Sequence, residues 1–284
     1  MAKLIHLSDL HFGAHDPTIV EAVERKVDEE RPELVVVSGD FTQRAKTEQF
    51  EEACRFLARL RDAGHEVLGV PGNHDVPLYD VLRRFLSPLN RYKRFIDDTL
   101  CPFVDLPDVT VLGINTARSL TFKDGHISHE QIDHIRDCFA TTDAAKPRVL
   151  VTHHPLFAQT VEGEHEKGMK DQRRALDAIA EAGVDLLLAG HNHRGMVARA
   201  SDLATGAGSA LVVQAGTATS VRLRGEPQSF NRIEIDRDSV AVTVLEWAGD
   251  AFRPADTETF TREDGQWHLS SGAPVVAASE QDAA

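Results

Sequence analysis

The chain has 284 residues, 42% of them hydrophobic and 27% charged, and a formal net charge of −14. That balance suits a soluble globular chain with a core of normal size, and no apolar run approaches the roughly 18 residues of a membrane span. An acidic surface repels long polyanions, which argues against broad DNA or RNA binding, yet a small phosphate ester can bind where metal ions reverse the sign locally.

Leu4 to Leu7 read as a first strand directly after Met-Ala-Lys. This is not the pattern of a signal peptide, so a cytoplasmic protein is expected. Ile19 to Glu30 has helical apolar spacing with Pro32 just beyond, and Leu34 to Ser38 is a β-branched run expected to be a strand covered on both faces. Thr47 to Ala63 reads as a helix closed by Gly64. Glu66 to Val70, Val109 to Asn115, Arg148 to Thr152 and Asp185 to Ala189 read as further strands, with helices at Glu130 to Phe139 and Asp171 to Ala182. The alternation implies a largely parallel sheet with right-handed crossovers.

Residues 76–98 interrupt it with a basic and aromatic helical segment, expected to be a small cap. After Gly195 the pattern becomes strands and short turns. Ala210 to Gln214, Ser229 to Asp236 and Ser239 to Trp247 are expected to complete a second sheet as antiparallel strands. The organisation expected is one domain over 1–271, with a β portion at 196–271 and a disordered tail at 272–284. Cys54, Cys101 and Cys138 are scattered, without a CxxC spacing, and are expected to be reduced.

Five polar clusters stand at the carboxyl ends of five predicted strands. They are Asp9-Leu10-His11, Gly39-Asp40, Gly72-Asn73-His74-Asp75, His153-His154-Pro155 and Gly190-His191-Asn192-His193. Ligands bind at the carboxyl ends of strands in open α/β sheets, and all five clusters hold metal-ligand residue types. One Asp-x-His or His-x-His alone is more often a solvated loop. Five in register with five strand ends are hard to assign to chance.

In this order the clusters resemble the motif set of the calcineurin-like metallophosphoesterases, over roughly residues 3 to 195. The resemblance implies a four-layer α/β/β/α sandwich of two mixed sheets, with a dinuclear metal site at the carboxyl ends of the strands. It also implies roles. Asp9, His11 and His193 would bind the first metal, Asp40 would bridge, and Asn73, His153 and His191 would bind the second. His74 would face the phosphate and Asp75 would orient it. His154 would be an outer residue, since the family uses the first His of that motif.

Elementary chemistry agrees. Two divalent ions against two carboxylates leave about two positive charges, suited to an anionic diester. A bridging carboxylate gives metals about 3.5–4 Å apart, and a hydroxide held between them is a nucleophile at neutral pH. His74 can protonate the leaving oxygen. Manganese, iron, zinc and cobalt all suit His, Asp and Asn ligation without Cys.

His6 is expected in the core or behind the ligands, His15 in solvent, and His126 and His129 on the surface or at a helix cap. Arg222 divides evenly between substrate and surface, and Arg83 to Arg94 is expected to be a packed cap. The wording around the motifs resembles the class III cyclic nucleotide phosphodiesterases. This implies a small-phosphodiester hydrolase acting on 3′,5′-cyclic nucleotides. A 2′,3′-cyclic nucleotide or glycerophosphodiester enzyme is the alternative, a metal-free scaffold the reading from another class, and homodimerisation stays open.

Overall fold

The described residues of the computed structural model are 1–120, 124–157, 159–161, 164–166, 172–204 and 208–272. The expected tail lies outside them apart from Gly272, and so does Asp171. β1 (Ala2–Leu7), α1 (Pro17–Glu30), β2 (Leu34–Val37), α2 (Thr47–Asp62) and β3 (Val67–Gly69) come first. The two short helices α3 (Val81–Leu86) and α4 (Asn90–Phe95) follow, then β4 (Phe103–Asp105), β5 (Thr110–Gly113), α5 (His129–Ala140) and β6 (Arg148–Val151). A hairpin of β7 (Gln159–Val161) and β8 (Glu164–Glu166) leads to α6 (Gln172–Glu181) and β9 (Leu186–Ala189). The rest is β10 (Met196–Arg199), α7 (Ala200–Leu203), β11 (Leu211–Gln214), β12 (Ser229–Ile235), β13 (Ser239–Trp247), β14 (Phe252–Glu263) and β15 (Gln266–Ser271).

Strand periodicity sorts the apolar residues into three cores. In β1 and β2, Ile5, Leu7, Val35 and Val37 pack with α1 and α2, whose Val23, Phe50 and Phe56 share that cluster. Leu4, Leu34 and Val36 point the other way, against Val149, Val151, Leu186 and Leu188 of the second sheet. Leu150 and Leu187 of that sheet in turn meet Ile135 and Phe139 of α5 and Ile179 of α6. Three cores between four layers make an α/β/β/α sandwich, since successive strand side chains face opposite sides. α1 starts where Asp16 accepts from the Thr18 amide at 2.8 Å with Pro17 next, an ordinary capped start. No helix among the described residues is long and apolar enough to cross a membrane.

Both sheets are mixed. The first runs β15-β14-β13-β12-β1-β2-β3 and the second β10-β11-β9-β6-β5-β4. The C-terminal strands therefore correct the sequence reading. β11 does join the second sheet, but parallel to β9, while β12 pairs antiparallel with β1 and carries β13 to β15 onto the first sheet. Strand type was readable locally; partner choice depends on pairings distant in sequence. β14 and β15 escaped because their residues are mostly polar, as expected of antiparallel strands with one wet face.

Candidate metal centre

Each candidate ligand follows the carboxyl end of a strand within a few residues. Beyond β1 and β2 the backbones stay zipped, with Asp9 N donating to Gly39 O at 3.1 Å and His11 N to Asp40 O at 2.9 Å. This brings the first two motifs side by side. The turns are strained: Asp9, His11, Asp40, His191 and His193 all have positive φ, between 48° and 74°. Such conformations cost about 1–3 kcal/mol each in non-glycine residues and cluster at functional sites. Gly39, at φ +96°, allows the His153 ring to approach closely: a Cβ there would stand 2.5 Å from its Nδ1.

The side-chain atoms converge in two groups. In the first, Asp9 Oδ1 lies 3.5 Å from His11 Nε2 and 3.2 Å from His193 Nε2, and the two nitrogens are 3.1 Å apart. In the second, Asn73 Oδ1 lies 3.0 Å from both His153 Nε2 and His191 Nδ1. Asp40 stands between them, its Oδ2 3.7 Å from His11 Nε2 and 3.5 Å from His153 Nε2. The seven residues expected as metal ligands are thus together.

The donor chemistry fits metal ions. His153 Nδ1 donates to Ser38 O at 2.7 Å and His193 Nδ1 to Arg222 O at 3.0 Å, so each turns Nε2 inward, where it can ligate an ion. Unprotonated, His153 Nε2 would face the carbonyl oxygen of Asn73 acceptor against acceptor, so this contact calls for a proton or a metal ion. Asp9 Oδ1 is buried without a hydrogen-bond partner, although Oδ2 takes Ser8 Oγ at 2.6 Å and His191 N at 2.9 Å. A buried acceptor cluster of this kind is costly unless a cation completes it. Electrostatics agree. Burial opposes ionising Asp9 and Asp40, yet the neighbouring histidines hold both carboxyls well below the usual range. Burial equally opposes charge on His153, but Asp40 and Asp9 push it up to about 9. The centre attracts positive charge.

His74 sits beside the cluster, its ring 4.8 Å from that of His11. Its amide donates to Asp40 Oδ1 at 2.8 Å and its Nδ1 to Gln43 O at 2.9 Å. Orientation of His74, expected of Asp75, therefore falls to the Gln43 carbonyl. Asp75 accepts from Phe41 N, Thr42 N, Thr42 Oγ1 and Gly72 N, between 2.9 and 3.2 Å. The reason is local: Asn73–Asp75 is a 3-10 turn, which sends neighbouring side chains to different sides. Burial and Asp40 push the Asp75 carboxyl up to about 7, against those donors. His154, expected as an outer residue, has Nδ1 2.8 Å from Thr116 Oγ1, and it stands with His153 and His191 in a group whose ligand-type atoms lie within 4.8 Å of one another. His6 is buried on Ser38 Oγ at 2.9 Å. His15 packs on Phe12 and takes the Gly13 amide.

The candidate ligand cluster opens into a cleft of about 260 Å³ lined by Asn73, His74, Gln43, Arg44, Arg222 and Arg224, among others. Arg222, evenly divided in the sequence, lines this cleft, and its Nη1 is 3.4 Å from Gln43 Oε1. Gln43, Arg44 and Arg224 had no signal of their own. Nor did Thr217 and Thr219, whose hydroxyls donate to the carbonyls of Asp9 and Leu10 at 2.7 and 2.6 Å. They strap the segment after β11 onto the first ligand loop.

The family model for calcineurin-like phosphoesterases matches residues 2–195. An uncharacterized metallophosphoesterase of Helicobacter pylori is 24% identical over 201 residues, 69% of this chain and 45% of that protein. The UDP-2,3-diacylglucosamine pyrophosphatase LpxG of Chlamydia trachomatis is 36% identical over 81 residues, 27% of this chain and 23% of that protein. The chain thus covers less than half the length of these relatives. A dimetal phosphatase from Danio rerio superposes with a TM-score of 0.65 at 13% identity, covering 92% of this chain and 99% of that one, a likeness of fold.

Proposed function

The chain belongs to the calcineurin-like phosphoesterase family, and from that premise we propose that it is a metal-dependent hydrolase of small phosphodiesters, with cyclic nucleotides among its substrates. The observation that carries the reading is the pair of ligand groups sharing Asp40 at the floor of an open cleft. Asp9, His11 and His193 would hold one ion, Asn73, His153 and His191 the other, and Asp40 both. When bound, such ions supply Lewis acidity and an activated water.

The chain's own groups supply the rest. Strand ends and strained turns hold the ligands rigidly, so little reorganisation is needed during reaction. His74, with Nδ1 committed to Gln43 O, keeps Nε2 for a proton passed to the leaving oxygen. Arg222 and Arg44 place cations along the cleft for the phosphate's remaining charge. Among the described residues, no Phe, Tyr or Trp lines the cleft. Discrimination between adenine and guanine should accordingly be weak.

The family resemblance favours the 3′,5′ ring. A 2′,3′-cyclic nucleotide or glycerophosphodiester is the second candidate class, which the same metal cluster and open cleft accommodate. The scaffold alternative is opposed by the complete ligand set. The deciding experiment measures kcat/KM for both cyclic rings, a linear diester and a monoester under one metal condition. A diester should lead. A monoester preferred tenfold over every diester would overturn the diesterase assignment.

A further inference from the structure

Helix α3 is built the reverse of a solvent-facing helix. Its apolar residues Val81, Leu82, Phe85 and Leu86 stand exposed, Leu82 at 76% and Leu86 at 80%, and none of its residues is buried. The fold engages its arginine side instead: Arg84 donates from Nε to Ser119 O at 2.8 Å and from Nη1 to Pro77 O at 3.1 Å. Just ahead of the helix, the exposed Tyr79 accepts from Arg44 Nη1 at 3.0 Å, and Arg44 lines the metal cleft. On the 222–224 side of the cleft, exposed Val221 and Leu223 alternate with Arg222 and Arg224, which line it. Apart from Met1, Phe103 and Leu120, every exposed large apolar side chain among the described residues lies in these two segments. A concentrated apolar surface beside polar groups marks a binding site.

A second cavity, of about 300 Å³, lies at the C-terminal end of the helix. Its apolar members include Leu86, Leu89, Leu100 and Ala117, and Lys93 and Arg118 also line it. Val76 lines both this cavity and the metal cleft. The apolar surface thus adjoins the arginine-lined cleft, at Tyr79 on Arg44 and at Val221 and Leu223 beside Arg222 and Arg224. Anion-binding groups leading into apolar surface are complementary to an amphiphile.

We propose that the preferred substrates are phosphodiesters bearing a hydrocarbon chain. The phosphate sits at the metal cluster among Arg44 and Arg222, and the chain runs along α3 toward the Val76–Leu86 cavity. The proposal rests on the phosphodiesterase reading and narrows its substrate class. Cyclic nucleotides, lacking such a chain, are turned over with only modest affinity.

The test is a series of alkyl nitrophenyl phosphodiesters from methyl to octyl, assayed below their micelle concentrations with the metal-loaded full chain. Over the first few carbons kcat/KM should rise about two- to four-fold per methylene, mostly through KM. Leu82→Ser/Leu86→Ser should flatten that slope. Because the slope is read within each protein, a general loss of activity in the variant cancels. A flat wild-type series with the methyl ester still hydrolysed overturns the proposal and leaves the phosphodiesterase reading standing. No turnover of any member overturns both. A flat series with a wild-type dimer that the double variant dissociates assigns the surface to a second copy, and also overturns it.

Discussion

The backbone amide of His74 donates to Oδ1 of Asp40 at 2.8 Å, leaving Oδ2 to face His11 and His153. One carboxylate thus fixes the residue assigned to the leaving group and stands between both ligand groups. Asp40→Ala removes both functions. We expect wild-type protein to carry two metal ions per chain, and the variant to lose most of the second together with activity. Metal analysis alongside turnover checks this; full activity in thoroughly chelated wild-type protein would refute the metal-dependent reading.

His74→Asn should separate chemistry from metal binding. The side chain stands close to His11 and Asp40, with ligand-type atoms within 4.8 Å of one another, but is not one of the seven assigned ligands, so metal content should hold while kcat falls by about 10²–10⁴-fold on a poor leaving group. The deficit should shrink for nitrophenolate, which needs no proton. Equal deficits for good and poor leaving groups would give His74 some other task.

Gly39→Ala places a Cβ at φ +96°, 2.5 Å from the His153 ring. Strain of about 1–3 kcal/mol is expected from the backbone alone, and the clash should displace His153, assigned to the second metal. Calorimetry should show a lowered Tm, and titration a weakened second metal. A variant with wild-type Tm and metal content would show that this close approach is not required.

His6 makes stability depend on pH. Its ordinary pKa is 6.5, and burial pulls it down to about 3, with Asp9 opposing. Between those values the unfolded chain binds a proton that the folded chain refuses. Stability therefore falls as pH drops through that window, by up to about 1.4 kcal/mol per pH unit from this group. His6→Gln should show a shallower slope in denaturant titrations from pH 7 to 4. An unchanged slope would mean that His6 is not the group responsible.

Much of the centre was legible because ligand chemistry is written in short runs at strand ends. Asp9, His11, Asp40, Asn73, His153, His191 and His193 each carry a residue type that declares itself. What surrounds them does not. Gln43 acts through its backbone carbonyl, which any residue possesses, and Thr217 straps a loop 208 positions away in sequence. Asp75 shows the limit of motif reasoning, since its place in Gly72-Asn73-His74-Asp75 could not reveal which way a 3-10 turn sends it. The layer order followed from apolar alternation, whereas the β12–β1 pairing depended on a partner at the other end of the chain.

That pairing bears on synthesis. Ala2 lies opposite Ile235, so β1, made long before β12, gains its second neighbour only after β12 has been made. Until then one side of β1 offers unpaired amides and carbonyls to any passing strand, and the Thr217 and Thr219 hydroxyls have not yet reached the Asp9 loop. The nascent chain can assemble most of the ligand-bearing segments early, but not close them. Completion waits on a contact of very long sequence separation, the kind that slows folding and lengthens exposure to aggregation.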